Sequence, residues 1–177
     1  MGTVQRDPFA LQAFLPPESE ADLLIKIFFQ NVNPFVRILN RESFSADLTR
    51  FRAGQLANSS SFIPLLFSVY GLAVVSLLPS DVAASFGVEK EWLLYKYQEA
   101  QELALHQVDF VNSNKLSVFQ AFLYYLVSDT PAKGRCLYTR LPFTAGQARY
   151  LSYHYTNKLD FRHFFLPGGI FKLQLHW

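Results

Sequence analysis

Residues 62–78 read FIPLLFSVYGLAVVSLL, a run of seventeen residues without a charged side chain. The run is slightly shorter than the roughly 20 apolar residues that cross a bilayer, and it includes Pro64, Ser68 and Gly71. No Lys or Arg lies close by on either side to anchor a membrane helix. Amphipathic helices elsewhere in the chain need a shared apolar partner, so we interpret this run as a buried core helix and expect no membrane association.

The residues before this run predict two amphipathic helices. After Pro16-Pro17, apolar side chains recur at helical spacing up to Val32, with Ser19 as the expected N-cap. Asn33-Pro34 ends this helix, because the residue before a proline is disfavoured in the helical conformation. A second, shorter helix is expected after a cap at Ser43, with one apolar face formed by Phe44, Leu48 and Phe51.

Two further helices are predicted after the run. The first has an apolar face opposed by Glu91, Gln98 and Glu102, and the second is apolar all round, which places it at the centre of the core. No stretch before residue 132 alternates as a strand does. The predicted fold is therefore all-α, an irregular array of about five helices at roughly 19–32, 43–52, 61–78, 88–108 and 117–127.

Charge divides the chain into two parts. Residues 1–132 have nine Lys/Arg against thirteen Asp/Glu, whereas residues 133–177 have seven Lys/Arg against a single acid. Helical periodicity also ends near residue 133. We therefore expect an irregular N-terminal segment (1–15), a helical domain (16–135) and a poorly structured basic aromatic tail (136–177).

The tail has residue types that bind nucleic acid, but no nucleic-acid-binding motif frames them. We interpret it as sequence that was not selected to fold with this domain, such as translated intron or an alternative reading frame. The N-terminus has no apolar run typical of a secretory signal, so we expect the protein not to be secreted and to be cytoplasmic by default.

Patterns of catalytic, cofactor and metal sites are absent from the sequence. It contains no Gly-rich phosphate loop. Cys136 is the single cysteine, and pairing it with His154 or His163 matches no known nucleophile signature. The histidines lack the i, i+4 spacing of helical zinc ligands. We predict no enzymatic activity, no cofactor and no metal.

Aromatic side chains on the predicted helices could also surround an apolar ligand. Plain core is the simpler interpretation of aromatic residues at helical spacing, and a ligand cavity is the alternative. The candidate pocket residues are Phe62, Phe67, Tyr70, Trp92, Phe119 and Phe122.

Several stretches together resemble one protein family. Residues 15–24 (LPPESEADLL) are followed by Phe28-Phe29, by a Val-Asn-Pro turn at 32–34 and by ILNRESF at 38–44. The apolar run, the helix containing YQEAQELA (97–104) and the helix at 116–126 follow in the same order. This arrangement resembles the fungal-specific transcription factor regulatory domain, the middle homology region of fungal binuclear zinc-cluster activators, over about residues 15–135.

The resemblance implies transcription regulation in the nucleus. It covers roughly the N-terminal half of that domain and does not include the six-cysteine DNA-binding cluster, so we expect no direct sequence-specific DNA binding. Contact with a full-length zinc-cluster transcription factor or another regulator is the expected role, with an apolar small-molecule effector as a further expected partner. The alternative is a stand-alone helical module that binds an apolar small molecule or a partner helix.

Overall fold

Helices form nearly all of the described structure, a computed structural model that describes residues 9–56, 59–110 and 112–128. No strand occurs in these ranges, which confirms the all-α prediction. The predicted tail, 136–177, lies outside the described residues. The helices are α1 (Phe9–Gln12), α2 (Glu18–Ile27), α3 (Arg41–Arg52), α4 (Ser59–Val75), α5 (Pro79–Phe86), α6 (Lys90–Gln107) and α7 (Leu116–Ser128), and a π-helical segment, Phe28–Val32, continues α2.

Helix α4 lies at the centre of the fold. It packs most extensively against α6 and α7, and also against α2 and the π-helical segment. Its buried side chains point in every direction around the helix axis, which explains why this stretch is apolar all round. Within the described ranges, no helix is long and apolar enough to cross a membrane. Residues 62–75 of the uncharged run lie in this core helix, as the sequence predicts.

The end of α4 differs from the prediction, which extended this helix to residue 78. The helix ends at Val75, and Leu78 adopts an extended backbone conformation before the unpredicted helix α5. Pro79 occupies the first position of α5, where its fixed φ favours a helix start and its missing N–H costs nothing. The Lys90 ammonium donates to the carbonyls of Val75 and Leu77, so a distant side chain stabilises the end of α4.

Helix starts also differ from the sequence-based expectations. Ser19 lies inside the first turn of α2, and Pro17 is the N-cap residue. The N-cap of α3 is Asn40 rather than Ser43, and the Asn40 Oδ1 accepts a hydrogen bond from the Ser43 backbone N–H at 3.0 Å. The short helix α1 lies within the segment 1–15 that was expected to be irregular.

The predicted first helix, 19–32, is α-helical only as far as Ile27. The Asn33 N–H donates to the Phe28 carbonyl at 3.0 Å, a five-residue step typical of a π-helix. Both Phe28 and Phe29 are buried here, with the Phe28 ring edge-on to Tyr124 at 5.5 Å. The wider turn thus lets two consecutive aromatic side chains enter the core.

Candidate functional site

Five of the six candidate pocket side chains lie in the core. Phe62, Phe67, Tyr70, Phe119 and Phe122 are each at most 7% exposed. They contact other aromatic rings at the short distances of paired rings: Phe62 lies 5.5 Å from Phe44, Tyr70 lies 5.6 Å from Tyr97, and Phe122 stacks at 5.2 Å on Phe110. These side chains fill the space between the helices with one another.

A small cavity lies beside two of these residues. Its volume of about 10 Å³ is lined by Phe110, Ser113, Val118, Phe119 and Phe122. A void of this size holds about one water molecule, which is far less than an apolar ligand occupies. The ligand-binding cavity remains a prediction, and a rise in Tm on addition of apolar metabolites would support it.

Trp92, the sixth candidate, lies on the surface of α6. Trp92 and Tyr95 are each 55% exposed, and Leu103 is 41% exposed. Their spacing of i, i+3 and i+11 places these three side chains along one side of the helix, together with Glu99. We call these four residues the outer face of α6. Apolar periodicity predicts only the opposite, core-facing side of this helix. The spacing of the three apolar residues was the available signal for the outer face.

Charged residues border the outer face. The Lys96 Nζ lies 5.7 Å from the centroid of the Trp92 ring, which is within the range of a cation–π contact. Helical geometry places Glu91 and Glu102 along the edge next to Tyr95. The outer face is therefore an apolar stripe with acidic groups along one side.

A buried polar cluster fixes the orientation of α6. Gln101 is 3% exposed, and its Nε2 donates to the Ser68 hydroxyl of α4 at 2.7 Å and to the Ala121 carbonyl of α7 at 3.1 Å. The Ser68 hydroxyl donates in turn to the Pro64 carbonyl at 2.8 Å. Because a buried amide is costly without its partners, α6 is held in the rotation that directs Trp92, Tyr95 and Leu103 outward.

Helix α7 runs antiparallel to α6. The Phe122 ring stacks on Phe110, beyond the end of α6, whereas the Tyr125 hydroxyl donates to the Glu102 carboxylate at 2.9 Å. The directions of both helices follow from their bonds to α4. On α7, Ser117 donates to the Ser61 carbonyl and Ala121 accepts from Ser68, so α7 runs in the direction of α4. On α6, Lys90 donates to the Val75 carbonyl and Gln101 to Ser68, so α6 runs in the opposite direction. Gln120 also donates to the Ile38 carbonyl at 2.9 Å, which joins α7 to the segment before α3.

Three buried tyrosines have raised pKa values. Burial raises the pKa of Tyr70 to about 12, against an opposing effect of Arg52 and a smaller reinforcing effect of Asp22. Burial is also the main cause of the raised pKa of Tyr97 and of Tyr124. These phenols stay protonated at neutral pH.

The residues that the structure describes contain no group of three or more His, Cys, Asp or Glu that could hold a metal ion.

Known proteins similar to this chain are fungal transcription factors. The aurofusarin cluster transcription factor aurR2 of Gibberella zeae is 31% identical over 121 residues, which are 68% of this chain and 18% of the relative. The C6 finger domain transcription factor hasF of Aspergillus fumigatus is 28% identical over 62% of this chain and 17% of its own length. The pyriculol/pyriculariol biosynthesis cluster transcription factor 1 of Pyricularia oryzae is 28% identical over 59% of this chain and 14% of its own length.

The chain spans less than a fifth of the length of each of these relatives. No family model matches it, and no solved structure matches it. The relatives are named as transcription factors, a class of proteins that are not enzymes. The matches agree with the resemblance to a partial regulatory region. The chain is therefore similar to a part of several fungal transcription factors, as the sequence resemblance indicates.

Proposed function

We propose that this chain regulates transcription by contacting another regulator through the outer face of α6. The observation that carries the regulatory role is its similarity to fungal transcription factors from several species. The partner in this proposal is a full-length zinc-cluster transcription factor or another nuclear regulator. Sequence-specific DNA binding comes from that partner, and the site of action is the nucleus.

The chemistry of the outer face supports a protein contact. Trp and Tyr are enriched at the centres of protein interfaces, where they bury large apolar areas at a low cost in side-chain entropy. Here Trp92, Tyr95 and Leu103 lie in one line on a single helix. An aligned apolar stripe of this kind indicates an interaction surface more strongly than single exposed apolar residues do.

The rigidity of α6 supports the same proposal. Gln101 links this helix to both α4 and α7 through buried hydrogen bonds. Its core-facing side packs Leu93, Tyr97 and Ala104 against the interior. A preorganised helix loses less conformational entropy on binding than a mobile segment does. The outer face can therefore dock a partner without rearrangement of the scaffold.

A reporter assay combined with co-precipitation tests this proposal. The full chain is co-expressed with a zinc-cluster transcription factor, and both the reporter output and the recovery of the factor with the chain are measured. The Trp92→Ser/Leu103→Ser variant is expected to lose both effects, because it removes two apolar contacts from the outer face. Phe35→Ser is the matched control, since Phe35 is 79% exposed and lies outside α6.

The control variant is expected to behave as the wild-type chain does. Unchanged recovery of the transcription factor with the double variant would contradict the outer face as the contact surface. Unchanged reporter output with the wild-type chain, at confirmed nuclear expression, would contradict the regulatory role itself.

A further inference from the structure

Charged side chains lie between the two apolar ends of the outer face of α6. Trp92 and Leu103, at these ends, are 55% and 41% exposed. Between them, Glu99 belongs to the face, and Lys96 borders it with its Nζ 5.7 Å from the Trp92 ring centroid. Neither Lys96 nor Glu99 forms an ion pair with any residue that the structure describes. The face therefore offers one cation and one anion to a partner.

The order of these residues is self-complementary in an antiparallel arrangement. In two antiparallel helices, residues are level with each other when they lie equally far from a common midpoint. With the midpoint between residues 97 and 98, Trp92 of one helix is level with Leu103 of the other. Lys96 is likewise level with Glu99. A two-fold axis makes each pair occur twice, as in an isologous dimer interface.

Two other arrangements of the same helices are less favourable. A parallel pair in register would bring identical residues together, including the two Glu99 carboxylates. An antiparallel pair centred on Glu99 would do the same. Like charges placed opposite each other in an interface are costly, so the midpoint between residues 97 and 98 is favoured. In that register, two lysines and two glutamates form a central cluster without net charge.

We infer that a second copy of this chain docks antiparallel on the outer face of α6. Trp92 of each copy packs on Leu103 of the other, and Lys96 pairs with Glu99 across the two-fold axis. One helix from each copy buries a small area, so we expect a weak dimer with a Kd between about 1 µM and 1 mM. The dimer itself does not depend on the proposed function. Its regulatory consequence, competition between a second copy and a regulator for one surface, rests on the proposed function.

Analytical ultracentrifugation of the full-length chain, under reducing conditions, tests the charge pairs. The wild-type chain is expected to show a monomer–dimer equilibrium. Lys96→Glu and Glu99→Lys should each weaken dimerisation at least about tenfold, because each variant places four like charges at the centre. Glu42→Lys is the matched control and should dimerise as the wild-type chain does, since Glu42 is exposed on α3.

A mixture of the two charge variants distinguishes a lost contact from a damaged fold. When Lys96→Glu and Glu99→Lys chains are combined, every central pair again joins a glutamate to a lysine. Dimerisation is therefore expected to recover in the mixture to near the wild-type level. A fold damaged by either substitution would not recover on mixing.

Disulfide formation between copies tests the register. Cys136 is the single cysteine, so Cys136→Ser chains with either Trp92→Cys or Leu103→Cys have one thiol each. An oxidised mixture is expected to link position 92 of one chain to position 103 of the other. Two copies of position 92 would lie about 16 Å apart along the helix axes, which exceeds the roughly 7 Å between Cα atoms that a disulfide spans.

A wild-type chain that stays monomeric up to about 1 mM overturns the inference. Dimerisation that is unchanged in the charge variants, or that does not recover in their mixture, also overturns it. So do disulfides that form between like chains instead of between positions 92 and 103. These measurements contain neither DNA nor a transcription factor, so their failure is distinguishable from a failure of the proposed regulatory role.

Discussion

Replacing Gln101 by Ala tests the buried hydrogen bonds that hold α6 in place. The substitution removes two hydrogen bonds, to the Ser68 hydroxyl and to the Ala121 carbonyl. Each contributes about 1 kcal/mol, and the lost side-chain volume adds about 1 kcal/mol more. We expect the free energy of unfolding to fall by about 3 kcal/mol, measured by urea denaturation and far-UV circular dichroism.

Ser68→Ala and the double variant complete the cycle. Ser68→Ala alone is expected to cost about 1.5 kcal/mol, because Gln101 keeps only its bond to Ala121. The double variant should cost about 1 kcal/mol less than the sum of the single changes, since both remove the same bond. Gln98→Ala, on the same helix but only partly buried, is the control and should change stability by no more than about 0.5 kcal/mol. Strictly additive single changes, or a cost for Gln101→Ala near that of the control, would refute the reasoning.

Three other predictions concern single side chains. Asn40→Ala should lower the free energy of unfolding by about 1 kcal/mol in urea denaturation, because the Ser43 N–H loses its cap; an unchanged midpoint would contradict the cap. Tyr124→Phe should leave the free energy of unfolding unchanged or raise it in the same assay. The buried Tyr124 hydroxyl faces the Ile38 backbone but makes no hydrogen bond of normal geometry to any described residue. A large fall in the free energy of unfolding would contradict this prediction. The free energy of unfolding should fall as the pH rises above 10. In the unfolded chain Tyr70 ionises near its ordinary pKa, whereas burial raises its pKa to about 12 in the folded protein. Tyr70→Phe should lessen this loss of stability, and an equal loss in the wild-type protein and the variant would refute the prediction.

Much of the helical pattern was predictable from local sequence. The period of apolar residues identified the five longer helices, because a helix on the surface of a core repeats its apolar side chains every three or four positions. The core role of residues 62–78 followed from their length and from the lack of flanking cations. The core-facing side of α6 was identified in the same way, and Leu93 and Tyr97 are buried as expected.

The helix boundaries that the sequence predicted wrongly depend on features that apolar periodicity does not reveal. Helix α5 is only eight residues long, so its apolar pattern is too short to detect by periodicity. Serine is a common N-cap residue, which is why Ser19 and Ser43 were predicted as caps. Which residue is the N-cap depends, however, on where the backbone first becomes helical. The structure places Asn40 at the start of α3, and a lysine fifteen residues away bonds to the Val75 carbonyl at the end of α4.

The candidate site was likewise predictable only in part from the sequence. Periodicity indicates which side chains of α6 are apolar and on which line they lie, but it does not distinguish a second buried face from an exposed one. Trp92 was therefore grouped with core aromatics although it is 55% exposed. Only the packing of α4 and α7 on one side of α6 decides which line faces the core.

The amino-acid sequence by itself determined the all-α class, the core role of the uncharged run and the family resemblance, because each depends on local composition and order. The tertiary structure decided how α6 is rotated, how α7 packs beside it and which apolar line stays outside. Those features depend on hydrogen bonds such as Gln101 to Ser68 and Tyr125 to Glu102, which join residues 33 and 23 positions apart. Their partners are chosen by packing in three dimensions, which no local pattern of residues encodes.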